Sequence, residues 1–67
     1  MNGYVVAAAL GRLTPEQRDV LRECYFRGSS VAQAAQTLGI APGTVKSRTY
    51  YALHALRLAI EELRDVE

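Results

Sequence analysis

The chain has 67 residues, 49% of them apolar and 22% charged, with a formal net charge of +1. At that length one domain is the ceiling, burying only about 60% of the surface its unfolded form exposes, and a catalytic cleft with a supporting shell has little room. The composition is globular rather than disordered, and the single cysteine, Cys24, excludes an internal disulfide and cannot build a zinc site alone. A small chain without such staples reads as tightly packed helices or as a piece of something larger.

The apolar run Tyr-Val-Val-Ala-Ala-Ala-Leu at residues 4–10 has no basic segment before it and meets Arg12 directly after Gly11. It is too short for a membrane span and wrongly flanked for a signal peptide, so the chain reads as cytoplasmic with no membrane insertion. Residues 1–3 read as a leader, and the domain is placed at 4–64. Nothing alternates with period two over a useful length, so the fold class is all-α. The run 4–10 gives a short first helix ended by Gly11. Thr14 with Gln17 forms a capping-box pattern, Pro15 suits the first helical position and Glu16 the positive end of the helix dipole. The second helix they open carries Val20, Leu21, Cys24 and Tyr25 inward and stops at Gly28, which makes Cys24 a small buried hydrophobe.

Ser30 with Gln33 repeats the capping-box pattern for a third helix through about Leu38, broken by Gly39. Pro42 restarts the chain, and a fourth helix runs to about Arg64 with Val45, Thr49, Ala52, Leu56, Ile60 and Leu63 as its core stripe. Residues 31–50 have the spacing of a helix-turn-helix. Two helices that cross closely need a small residue at the contact, and the turn needs one that tolerates positive φ. The second helix then needs an aliphatic side chain to lock onto the first. Ala35, Gly39 and Val45 meet these demands in order.

Opposite the core stripe lie Gly43, Lys46, Ser47, Tyr50, Tyr51, His54 and Arg57. The start of a recognition helix is the part that reaches base edges in the major groove. Lys46 and Ser47 suit base acceptors there, and Tyr50 and Tyr51 can meet bases or sugars, although an adjacent aromatic pair also serves as half-buried packing. Thr44 and Arg48 suit phosphates, which position without specifying. His54 reads as a solvent-exposed residue on the same face. Leu58 falls off the core stripe on the Tyr51 side, so Tyr51, Ala55 and Leu58 form a candidate partner surface; a single exposed leucine also needs no partner.

Three stretches together resemble region 4 of bacterial sigma factors, closest to the extracytoplasmic-function (ECF) group of the sigma-70 family: Leu-Thr-Pro-Glu-Gln-Arg at 13–18, Gly-Ser-Ser at 28–30 and Leu-Gly-Ile-Ala-Pro-Gly-Thr-Val-Lys-Ser-Arg at 38–48. The resemblance covers nearly the whole chain. It implies a four-helix domain that binds the minus-35 promoter element through its long C-terminal helix, with Lys46, Ser47, Tyr50 and Tyr51 toward bases and Thr44 and Arg48 toward the backbone. It also implies contact with the flap of the RNA polymerase β subunit and sequestration by an anti-sigma factor, for which Tyr51, Ala55 and Leu58 are the candidate surface. Tyr51 and Leu53 stand where the group is commonly basic, which predicts weaker binding by the domain alone; Gln33 stands where Glu is usual, which keeps the cap and loses one local charge. The chain reads as one module of a longer sigma factor.

Two other readings fit parts of the pattern. A LuxR-type regulator shares the four-helix plan but dimerises through a further helix, whereas here the motif helix itself runs on to the end. A protein-interaction domain would keep the helices and lose DNA binding. An enzyme fits least, for there are no paired acids, no nucleophile with a base and no phosphate-binding glycine loop, and no cofactor or metal is implied. The net charge divides unevenly. Four arginines meet three acids up to residue 27, whereas 28–60 hold Lys46, Arg48 and Arg57 with no acid, and 61–67 hold four acids and Arg64. Distribution rather than total sets the local field, so the helix-turn-helix is a modest basic patch.

Overall fold

The computed structural model describes residues 3–66, and among them the order is four α-helices with no strand. Helix α1, Gly3–Gly11, buries Val5 and Ala9, one turn apart on one face, and leaves Tyr4 in solvent. Gly3, read as leader, is its first residue; Met1 and Asn2 lie outside the described residues. A carbonyl of its last turn and one just beyond it are met from outside the helix, where the Arg18 guanidinium donates to that of Leu10 at 3.4 Å and to that of Leu13 at 2.6 Å. That contact ties α1 to the next helix in the way a cation satisfies a helix C-terminus.

Helix α2, Pro15–Leu21, starts as its sequence dictates, with reciprocal capping bonds between Thr14 and Gln17 and Pro15 in the first turn. The helix then widens into a π segment, Arg22–Phe26. This wider turn interrupts the 3.6-residue period and corrects one expectation: Val20 and Leu21 are buried, but Tyr25 is 59% exposed and Cys24 only half-buried. Glu23 turns inward instead and is only 5% exposed. It is buried because the following loop folds over it. The Ser29 N–H donates to its main-chain carbonyl at 2.9 Å, the Ser29 hydroxyl bonds its carboxylate at 3.3 Å, and Arg27 pairs with it at 3.1 Å.

Helix α3, Val31–Leu38, opens on the second capping box, Ser30 with Gln33, and closes on Gly39 in the left-handed conformation at φ +69°. Helix α4, Pro42–Val66, has 25 residues. At roughly 1.5 Å per residue it is about 37 Å long, which sets the 39 Å long axis of the molecule. The other three helices all pack on it. Two small clusters form the centre. Leu13, Val20, Leu21 and Ala52 make one, flanked by Leu10, Leu38, Ile40, Ala55 and Leu56. Ala34, Ala35 and Val45 make the other, flanked by Cys24, Val31 and Ile40.

On α4 the expected stripe is seen, with Val45 and Ala52 buried and Thr49, Leu56, Ile60 and Leu63 half-buried. Ala59 is buried too, two turns beyond Ala52 on the same line.

Candidate nucleic-acid interface

The turn between α3 and α4 fixes how the second helix of the pair is presented. The N–H groups of Gly39 and Ile40 both donate to the Ala35 carbonyl, which closes α3 and reverses the chain. Ala35 and Val45 are buried where the helices cross, as the three-point spacing required. Ala41 accepts from the N–H groups of Thr44 and Val45, so α4 begins at Pro42.

Of the six side chains expected at DNA, Lys46, Ser47, Tyr50 and Tyr51 are exposed and Thr44 and Arg48 are half-buried. The two tyrosine rings meet edge to face at 5.3 Å, so each stiffens the other in solvent rather than joining the core. Ser47 donates back to the Thr44 carbonyl at 3.4 Å. The fold divides these residues into two groups. Thr44, Ser47, Arg48 and Tyr51 line a crevice whose opposite wall is Thr14, Glu16 and Gln17 from the start of α2. Tyr50 faces a shallow groove farther along α4 with Leu53, His54 and Arg57. The α2 wall was beyond the reach of a helical wheel, because some 30 residues separate its two sides in sequence.

Charge pairing sharpens the picture. Arg12, Arg22, Arg27 and Arg57 each hold a carboxylate within 3.3 Å, from Glu62, Asp19, Glu23 and Glu61 respectively. Arg18 is committed to the carbonyls after α1. Among the described residues, the cations left without an ion pair or hydrogen bond are Lys46, Arg48 and Arg64, the last of which stands among the acids of the C-terminal turns. The unengaged positive charge of the helix-turn-helix is therefore concentrated on two residues in the opening turns of α4. Arg57 contributes less than expected, because the acidic end of the helix reaches back to it through Glu61.

The expected partner surface is narrower than its sequence reading. Tyr51 is exposed and Leu58 is 47% exposed, but Ala55 is half-buried against the cluster of Leu13, Val20, Leu21 and Ala52. Three residues after Ala52, it lies about 60° round the helix from it, inside the breadth of an apolar helix face. No helix among the described residues is long and apolar enough to cross a membrane.

A glycine turn, a small residue at the crossing and an exposed, basic start to the second helix define a helix-turn-helix domain built to meet nucleic acid. Residues 9–58 match the family Sigma-70, region 4, and the chain belongs to that family. It is 54% identical over 63 residues to the ECF RNA polymerase sigma factor SigL of Mycobacterium tuberculosis, in strains ATCC 25618 / H37Rv and CDC 1551 / Oshkosh alike. The alignment covers 94% of this chain and 36% of those relatives, so the chain spans about a third of their length. The resemblance read from residues 13–18, 28–30 and 38–48 is borne out, including its ECF character.

Proposed function

We propose that this chain is the promoter-recognition domain of an ECF-type sigma factor, which reads the minus-35 element with α4 and docks on the β-subunit flap of RNA polymerase. It acts as a cytoplasmic transcription initiation factor rather than an enzyme. The observation that carries this reading is the pair of unengaged cations, Lys46 and Arg48, on the exposed start of the second helix of the motif. Lys46 and Ser47 serve base edges, Tyr50 and Tyr51 serve bases or sugars, and Thr44 and Arg48 hold the backbone.

The test begins by selecting duplexes from a random pool with the wild-type chain. A recurring site should emerge, and Lys46→Ala should then weaken binding to it at least about fivefold more than binding to a scrambled duplex, the value of one good base contact. Fluorescence anisotropy measures both. Selection without a common site, or equal losses on the two duplexes, removes the promoter reading.

The exposed outer face at Tyr51 and Leu58 supports an anti-sigma factor as the proposed third partner, one whose binding covers the helix that reads DNA. Leu58→Asp should weaken capture by that factor about tenfold or more, the loss typical of an interface anchor, with the helical circular dichroism spectrum unchanged. Unaltered capture by a folded variant would rule this face out.

A further inference from the structure

The crevice beside the reading face contains a charge of the wrong sign for DNA. Glu16 shares it with Thr44, Ser47, Arg48 and Tyr51, four of the six residues turned toward nucleic acid. Its carboxylate is exposed and makes no ion pair or hydrogen bond among the described residues, although Arg48 lines the same crevice. The other described carboxylates behave differently. Asp19, Glu23, Glu61 and Glu62 are each paired with an arginine. Asp65, which has no such partner, lies in the last turn of α4, about five turns from Lys46 at roughly 3.6 residues per turn.

We propose that Glu16 is a built-in electrostatic brake on DNA binding, an inference that rests on the promoter-reading function above and adds how its affinity is limited. Duplex DNA carries about one negative charge per 1.7 Å of axis, so a strand laid against Thr44 and Arg48 brings phosphates to the crevice that Glu16 shares. Like charges repel there, and the face presents two free cations opposed by one free anion. Glu16 also favours the start of α2 through the helix dipole, but that role alone has no bearing on DNA. The brake lowers the occupancy of DNA by the domain alone. Tethering through polymerase offsets that loss, because it supplies a high effective concentration without any new contact to the bases.

Glu16→Gln separates the two roles. In fluorescence anisotropy at about 50 mM salt it should tighten binding to both the selected and the scrambled duplex by the same factor, about two- to fivefold. The gain should vanish at about 0.5 M salt, where the screening length falls to about 4 Å. Glu16→Asp keeps the charge and should bind as the wild type does. A purely structural role would lower the thermal midpoint of Glu16→Gln and leave its affinity unmoved. Equal or weaker binding by Glu16→Gln at low salt overturns the brake, as does a gain confined to the selected duplex. If Lys46→Ala loses discrimination while Glu16→Gln changes nothing, the brake falls and the promoter reading stands. If no variant binds either duplex, both fall together.

Discussion

Leu21→Ala should leave the chain largely unfolded at 25 °C. Leu21 is 2% exposed and is the largest of the fully buried side chains. It packs with Leu13, Val20 and Ala52 in the cluster that joins α2 to α4. Truncating a buried leucine to alanine costs about 2.7–5 kcal/mol, the lost transfer free energy plus the cavity left behind. A core of this size rarely supplies more than about 3–5 kcal/mol in total. Much of the remaining core is alanine, which has no longer side chain to swing into the space, so the upper part of the cost range applies. Urea titration followed by helical circular dichroism measures the effect. A loss below about 1 kcal/mol would mean that the α2–α4 contact is not the main source of stability.

The features legible in the sequence are those whose cause is local. Thr14 with Gln17 and Ser30 with Gln33 start helices because a short oxygen-bearing side chain three residues before a glutamine satisfies orphan N–H groups whatever the tertiary context. Gly39 marks the turn because its backbone must adopt positive φ. The misplaced positions depend on neighbours distant in sequence. Tyr25 follows the 3.6-residue period on paper, but nothing in Arg-Glu-Cys-Tyr-Phe announces a π segment, and Glu23 is drawn inward by Ser29 and by the loop above it. Ala55 looks peripheral on a wheel and is covered because α2 lies broadly across α4. The six expected DNA-facing residues could be named from the motif, whereas the α2 wall beside them, with Thr14, Glu16 and Gln17, exists only once the helices are packed.

Pairing also changes what the charge count means. Residues 28–60 carry three cations and no acid, which reads as a patch of three. In the fold one of these, Arg57, faces Glu61 at 3.3 Å. That exposed pair is weak and screened, yet it places a carboxylate beside the cation most distant from the turn. Positive potential is thereby confined to Lys46 and Arg48, where the first turns of α4 can enter a groove.

Lys46→Ala with Arg48→Ala should therefore remove most of the salt-dependent binding of the isolated domain. Each cation that displaces a counterion from the duplex contributes about 0.9 to the slope of log affinity against log salt, so removing both lowers that slope by about 1.8. The same relation gives a loss of roughly sixtyfold at about 0.1 M salt, shrinking toward none near 1 M. The loss should fall on selected and scrambled duplexes alike, apart from the additional base contact of Lys46. Neither residue is in the buried core, so the unfolding free energy from urea titration should stay within about 0.5 kcal/mol of the wild type. Titrations of anisotropy at four or more salt concentrations measure the slope directly. A slope that stays at the wild-type value would show that DNA is held elsewhere on the surface. A fall of about half that size would mean that only one of the two cations displaces a counterion. Arg48→Ala alone then decides between them, because Arg48 is half-buried in the crevice and has less freedom than Lys46 to find a second position on the backbone.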